Sequence, residues 1–378
     1  MRILIVSDFF APHYTGGGER RYFEIGKRLV KRGWEVDVIC MKIKGVKEKE
    51  DIKGLKVHHI GPVITDPPKR SLLNFLHFIL AAIFWILSHD YDIIDAQTYA
   101  PLLPAFIASR IKRTPMIATI HDVSSTFSDQ WIQSSKVAKL AEKILLKLPY
   151  DKIVTVSNMT REALVRDYGI NPRRVKVIYN GVDLPLIDSI KASKIPRSLI
   201  FVGRLAPHKH VDHLLKIVKE LKKEIPTIRL KIIGDGVEKN RLKRLVKDYK
   251  IEDRVSFYMN LKYSDVIYHM KRSSLLVLPS TREGFGMVLA EANACYRPVI
   301  AYKSGGVIEV VEDGENGFLV EPLDIGSLKE KIRILLFDEE LQRNLGENGR
   351  KKVEKMFVWD KIVDKLLKVY KDMNQKNR

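Results

Sequence analysis

Short apolar runs rich in β-branched residues alternate with amphipathic stretches along this chain. The alternation starts twice, which confines the fold to parallel sheets joined by helical crossovers. The first series runs Arg2–Ser7, Glu19–Arg32, Glu35–Cys40, Leu72–Leu87, Ile93–Ala96, Met116–Ile120 and Ile153–Val156. It restarts after Pro185–Pro196 with strand candidates Leu199–Val202, Leu230–Ile233, Val255–Tyr258, Leu275–Leu278 and Val299–Ala301. A chain of 378 residues, 45% of them hydrophobic, is long enough for two cores. The expected organisation is α/β, with doubly wound domains over 1–183 and 197–355 and a hinge over 184–196.

A formal net charge of +20 favours anionic partners such as phosphates, acidic lipid surfaces or nucleic acid. No nucleic-acid-binding module is recognisable and few aromatics interleave with the basic runs, so a nucleic-acid partner is not expected. Cys40 and Cys295 stand far apart and outside any metal-ligand spacing, which supports neither a disulfide framework nor a zinc site. A reducing, cytoplasmic setting fits this usage. Ile3–Val6 is far shorter than the core of a secretory signal and reads as a first strand. Leu72–Leu87 is interrupted by Asn74 and His77 and falls short of the ~20 residues that cross a bilayer. It reads as a helix buried in its domain, with one face available to lipid.

In open α/β sheets, ligands lie where the C-terminal ends of strands lead into helices. Gly16, Gly17 and Gly18 stand after the first strand and before a helix, where a bare backbone and free amides suit a phosphate. They lack the G-x-G-x-x-G spacing of a nicotinamide or flavin site. His121 and Asp122 follow the strand Met116–Ile120, placing an imidazole at the same edge for a hydrogen bond to a reacting group. Arg204 and Lys209 follow the strand ending at Gly203, and two cations there suit a departing diphosphate.

The run E-G-F-G-M-V-L-A-E from Glu283 to Glu291 lies between the strand ending at Pro279 and a helix reaching about Tyr296. If the interval is mostly helical, its two carboxylates stand roughly 12 Å apart at 1.5 Å rise per residue, too far to act on one bond. They suit two grips on an elongated donor, Glu283 at the sugar and Glu291 at the ribose. The amides of Phe285, Gly286, Met287 and Val288 then face the phosphates. Asp90-Tyr91-Asp92 has the D-x-D form of a metal site but precedes a strand, at the wrong edge of a parallel sheet, so no metal is expected.

Together these motifs resemble the retaining glycosyltransferase family 4, the group 1 glycosyltransferases. The resemblance rests on the glycines at 16–18, T-I-H-D at 119–122, Y-N-G-V-D at 179–183, G-R-L at 203–205 with Lys209, and I-G-D-G at 233–236. It continues through the paired glutamates, Gly305-Gly306 and N-G-F-L-V at 316–320, and so covers nearly the whole chain. It implies a GT-B fold: two Rossmann-like domains facing across a cleft, the first binding acceptor and the second donor. It also implies that 356–378 crosses back as a last helix to the first domain. The implied donor is a UDP- or GDP-linked sugar, with no separate cofactor. Gly17 and Gly18 would meet donor phosphate, His121 and Glu283 the sugar, Arg204 and Lys209 the diphosphate, Glu291 the ribose, and the region of Gly234 the base. His210 stands where family members usually carry glycine.

The implied acceptor is a sugar, glycan or lipid-linked molecule. Lys136, Lys139, Lys143 and Lys147 lie opposite Val137, Leu140, Ile144 and Leu148, so the 136–148 helix either packs its apolar side on the sheet or lies on an anionic membrane. With 72–87, it offers a peripheral contact at the inner membrane face. The readings from other classes are a nucleic-acid-binding protein, a non-catalytic nucleotide-sugar-binding protein, and a phosphorylase with a lysine-bound pyridoxal cofactor.

Overall fold

The computed structural model describes residues 1–14, 16–67, 71–97, 99–126 and 136–376, without the side chains of 126, 136–138 and 376. It comprises two compact units, Met1–Asn180 with Trp359–Arg378, and Gly181–Val358. The first contains β1 (Arg2–Val6), α1 (Gly17–Lys31), β2 (Glu35–Ile43), β3 (Lys49–Ile52), β4 (Leu55–Ile64), α2 (Leu72–Ser88) and β5 (Ile93–Gln97). It continues with α3 (Tyr99–Lys112), β6 (Met116–Ile120), α4 (Lys136–Lys147), β7 (Lys152–Thr155), α5 (Asn158–Tyr168) and β8 (Val175–Val177). The strands form one sheet in the order β3-β4-β2-β1-β5-β6-β7-β8, parallel except for the β3–β4 pair.

Strands covered on both faces read as unbroken apolar runs. In β1, Ile3, Leu4, Ile5 and Val6 are wholly buried, and β6 is buried throughout. Each such aliphatic side chain contributes about 1.5–3 kcal/mol relative to exposure. The β3–β4 hairpin escaped the sequence reading because β3, Lys-Glu-Asp-Ile, is a polar edge strand with no buried residue.

The second unit contains α6 (Leu184–Ser189), β9 (Ser198–Val202), α7 (Val211–Leu221), β10 (Arg229–Ile233), α8 (Lys239–Asp248), β11 (Val255–Tyr258), α9 (Tyr263–Lys271) and β12 (Leu275–Leu278). Next come α10 (Met287–Ala294), β13 (Val299–Tyr302), α11 (Val307–Val310), β14 (Gly317–Val320), α12 (Ile325–Phe337) and α13 (Glu339–Met356). Its sheet is wholly parallel, in the order β11-β10-β9-β12-β13-β14. The stretch 184–196 opens with α6 and belongs to this unit. There Asp188 takes a two-pronged bond from Arg350 of α13 at 2.8 Å on each oxygen.

The last helix, α14 (Trp359–Lys376), belongs to the first unit. Trp359, Ile362, Val363 and Leu366 are buried. Tyr370 donates its hydroxyl to Asp95 Oδ2 of β5 at 2.7 Å. The hydroxyls of Tyr22 on α1 and Thr119 on β6 serve the other oxygen of the same fully buried carboxylate. Burial pushes the Asp95 carboxyl up, while these hydroxyls and nearby Arg21 favour its charged form.

In two helices of the first unit the structure shows which face is covered. The buried residues of α2 are Phe78, Ile79, Ala82 and Ile86, whereas Leu72, Leu73, Leu76, Leu80, Phe84 and Leu87 are exposed. In α4, Leu140 and Ile144 do not pack on the sheet but are exposed beside Lys139 and Lys143. Glu142 and Leu146 turn inward instead, because the Glu142 carboxylate accepts hydroxyls from Tyr99, Ser124 and Tyr168. The side chains of Lys136 and Val137 lie outside the described residues.

Tyr370→Phe should lower the unfolding free energy of the first unit by about 1–3 kcal/mol, because it leaves one buried carboxylate oxygen without its donor. Urea denaturation followed by tryptophan fluorescence reads this, and an unchanged midpoint would show that the contact carries no stability.

Candidate functional site

Each sheet reverses its winding once, and the loops at that reversal are where an open α/β sheet presents ligand-binding groups. In the first unit the reversal lies between β1 and β5. Here Gly16 caps α1 in an extended conformation, and being glycine it offers no side-chain bond to the first turn of that helix. Its leading amides therefore lack the usual Ser, Asp or Asn cap, which suits an anion. A Cβ added to Gly18 would come within 3.2 Å of His121 Nε2 and 3.3 Å of Gln97 Oε1. The glycine thus admits the imidazole from β6 and the amide from β5 to the helix start.

The hydrogen-bond chain fixes the tautomer of that imidazole. Ser7 Oγ donates to Phe9 O at 2.6 Å, so it can only accept from the Gln97 amide nitrogen. Gln97 Oε1 then faces His121 Nε2 at 3.4 Å, and His121 carries its proton on Nε2 with Nδ1 left as an acceptor. Burial pushes the imidazole down to about 3, with Arg21 adding to the effect, so His121 is neutral at physiological pH.

Arg21 is fully buried and donates from Nη1 to Tyr179 O and Asn180 Oδ1, both at 2.8 Å. Among the described residues its Nε and Nη2 meet no hydrogen-bond partner, and burial pushes its guanidinium down. The sequence reading missed Gln97 and Arg21. Gln97 was findable as the last residue of a strand at the reversal; Arg21 is one cation among 66 basic residues.

The reversal in the second unit lies between β9 and β12. After β9 come Gly203, exposed Arg204 and a turn at Pro207–Lys209. After β12 comes the loop carrying Glu283. Thr281 N donates to His208 O at 2.9 Å and binds the two loops together. Across this seam Lys209 Nζ donates to Glu283 Oε1, with the side chains only 13% and 14% exposed. His208 lies beside the pair, pushed down to about 4 first by burial and then by the Lys209 charge.

His210 sits at φ 44° and ψ 44°, a left-handed position where glycine is ordinarily favoured. It is held there with Nε2 3.2 Å from Thr281 Oγ1 and its ring stacked on His213 at 4.8 Å.

Gly286 adopts φ 84° and starts α10, again with no side-chain cap. Met287 and Val288 are half-buried in that first turn, and Phe285 beside it packs edge-on against Phe357 at 5.3 Å. Helix begins only at Met287, so less of the Glu283–Glu291 interval is helical than the sequence reading assumed. Glu291 lies inside α10, 2% exposed, and accepts from the Tyr263 hydroxyl at 3.3 Å. It is not a solvated helix face.

Gly234 has a structural reason of its own: at φ 145°, a Cβ there would lie 1.9 Å from Gly203 O. This glycine lets the loop after β10 lie against the loop that carries Arg204. The Asp90-Tyr91-Asp92 triplet precedes β5; Asp90 pairs with Lys112, and Asp92 accepts from Arg2 N at 2.7 Å. Among the described residues two side-chain groups are close enough to share an ion, His13 with Glu50 and His59, and His210 with Asp212 and His213.

Residues 15–185 match the family described as Glycosyltransferase Family 4, and residues 187–352 that described as Glycosyl transferases group 1. An uncharacterized glycosyltransferase of Methanocaldococcus jannaschii, MJ1178, is 37% identical over 99% of both chains. Sucrose-phosphate synthase from Thermosynechococcus elongatus superposes with a TM-score of 0.86 at 23% identity over 98% of each chain. The structure of Anabaena Alr3699/HepE in complex with UDP and glucose gives 0.79 at 24% identity, over 98% of this chain and 100% of that one. The fold is therefore GT-B in class, each unit a parallel Rossmann-like sheet.

The neutral state of His121 predicts a pH dependence. An unfolded histidine binds a proton below about 6.5, whereas His121 resists it until about 3. Its contribution to stability is thus fully present above pH 6.5 and falls as the pH drops toward 3. His121→Asn should flatten the fall of unfolding free energy across this window relative to wild type, measured by denaturant titrations at stepped pH. A parallel slope in the variant would mean that the imidazole is protonated in the folded protein.

Proposed function

Because the chain belongs to the group 1 glycosyltransferases, we propose that it moves a sugar from a UDP- or GDP-linked donor to a sugar, glycan or lipid-linked acceptor. The anomeric configuration is retained and no metal is required. The observation that carries the donor assignment is the buried Lys209–Glu283 pair beside the uncapped start of α10. A buried ammonium held by one carboxylate, next to the glycine-led start of a helix and exposed Arg204, is a place prepared for a diphosphate.

Breaking the bond between the anomeric carbon and the phosphate oxygen leaves an oxocarbenium-like sugar and an added negative charge on the diphosphate. Arg204, Lys209 and the amides of Phe285, Gly286, Met287 and Val288 meet that charge where it grows, which is the most effective use of fixed dipoles. Glu283, already aligned by Lys209, accepts from sugar hydroxyls. Glu291 binds the ribose, and the backbone around Gly234 borders the base. The likeness to Anabaena Alr3699/HepE, whose structure holds UDP and glucose, supports a uridine donor.

In the first unit, Gly16, Gly17 and Gly18 leave amides for donor phosphate. Neutral His121 offers Nδ1 as an acceptor for a sugar hydroxyl. The acceptor oxygen joins the anomeric carbon on the face the diphosphate leaves, and its proton passes to the departing phosphate oxygen. No covalent sugar–protein link forms.

A panel of nucleotide sugars, screened by thermal shift and by nucleotide release, tests this reading; no response to any UDP- or GDP-sugar would sink it. Lys209→Ala and Arg204→Ala should each lower kcat by about 100- to 1,000-fold, with a smaller change in KM. EDTA should leave turnover unchanged. Inversion at the anomeric carbon, read by proton NMR of the product, would overturn the stereochemical part alone.

A further inference from the structure

One helix of the first unit is apolar over most of its surface, Asn74, His77 and Ser88 apart, yet covered on only one side. Phe78, Ile79, Ala82 and Ile86 face inward, where α2 packs on β4 and α3. The opposite stripe, Leu73, Leu76, Leu80, Phe84 and Leu87, recurs every three or four residues, with Leu80 65% and Phe84 75% exposed. The seventeen residues of α2 include no Asp, Glu, Lys or Arg. A helix hydrophobic all round belongs in a core or against lipid, and an exposed patch of this kind marks an interaction site.

The adjoining helices extend the patch. α3 packs against both α2 and α4, and it exposes Ile107 and Ile111, while α4 exposes Leu140 and Ile144. The exposed charges carried by these three helices themselves are of one sign. Among the described side chains of α2, α3 and α4 the only acid is Glu142, which is buried. The bases are Arg110, Lys112, Lys139, Lys143 and Lys147; Arg110 and Lys112 engage Asp151 and Asp90 from flanking loops. Lys139, Lys143 and Lys147 are exposed and alternate with Leu140 and Ile144 along α4.

We propose that this three-helix face docks on the surface of an anionic lipid bilayer. α2 lies in the interfacial plane with Leu80 and Phe84 among the acyl chains, and the α4 lysines reach the lipid phosphates. Lysine is depleted from the cores of protein–protein interfaces, whereas at a bilayer its stem lies along the apolar layer while the ammonium turns up to the headgroups. At 1.5 Å per residue α2 is roughly 25 Å long, against about 30 Å of hydrocarbon. No described helix is long and apolar enough to cross a membrane. The geometry is therefore that of a helix resting on the surface. The inference stands on exposure and charge and does not depend on the donor assignment.

Cosedimentation of the full chain with phosphatidylglycerol vesicles and with phosphatidylcholine vesicles, at low and high salt, tests it. Wild type should bind the anionic vesicles and be released by salt. Lys139→Gln/Lys143→Gln/Lys147→Gln should weaken anionic binding about tenfold or more. Leu80→Glu/Phe84→Glu should abolish binding while circular dichroism and the thermal unfolding midpoint stay as in wild type. All five side chains are exposed, and the lysine variant supplies an independent reading if the glutamates disturb folding. The proposal is overturned if wild type ignores anionic vesicles, or if neither variant changes binding. It is also overturned if light scattering shows a dimer that Leu80→Glu/Phe84→Glu disrupts while no vesicle binding occurs, which would assign the face to a second copy of the chain.

Discussion

A carboxylate with no access to water, Asp95 in the middle of the first sheet, sets the terms for the unit around it. A carboxyl group stripped of solvent is tolerated only if nearly every lone pair is met. Here the partners come from α1, β6 and α14, with Arg21 near enough to favour the charge. The network thereby fixes the rotation of α1, and with it the direction in which the uncapped amides at Gly16–Gly18 point. Arg21, one residue before a member of the network, is turned inward to the carbonyl of Tyr179 and the side chain of Asn180. Structural polarity and site geometry are in this sense one arrangement.

The second unit solves a different problem by backbone contact. Its ligand edge needs loops from neighbouring strands to lie side by side, and a side chain would hold them apart. Gly234 and Gly306 are the positions where a Cβ would strike the facing carbonyls of Gly203 and Gly284, at 1.9 and 2.2 Å. Between the β9 and β12 loops the Thr281 amide bonds His208 O, and beside it the Lys209–Glu283 ion pair holds two flexible side chains in place. His210 shows that glycine is not the only answer, since stacking on His213 and a contact with Thr281 hold a side chain in the left-handed region.

Legibility in the sequence followed the physics of each element. Parallel strands buried on both faces left apolar runs, so β1, β6, β9 and β12 were visible without any structure, and in β10 only Lys231 breaks the run. Motifs at their C-terminal ends were visible for the same reason. The β3–β4 hairpin was not, because an edge strand in water needs no apolar code. Nor was the orientation of α4. Its pattern of Lys at 139, 143 and 147 beside Leu140 and Ile144 defines an amphipathic helix, but the choice of inward face was made by Glu142, whose three hydroxyl partners lie on other elements. Long-range polar contacts of this kind have no periodicity to read. Gln97 and Arg21 were missed on the same ground: their importance is set by neighbours 90 and 158 residues away.

The separation between Asp95 and Tyr370, 275 residues, bears on how the protein comes into being. Synthesis proceeds from the N-terminus, and domains ordinarily condense as they emerge. This first unit cannot complete its interior on that schedule. Its central carboxylate must wait while the whole of the second unit leaves the ribosome, and only the arrival of α14 supplies the last hydroxyl. Assembly of the first unit's loops is thereby deferred until the second unit has been made.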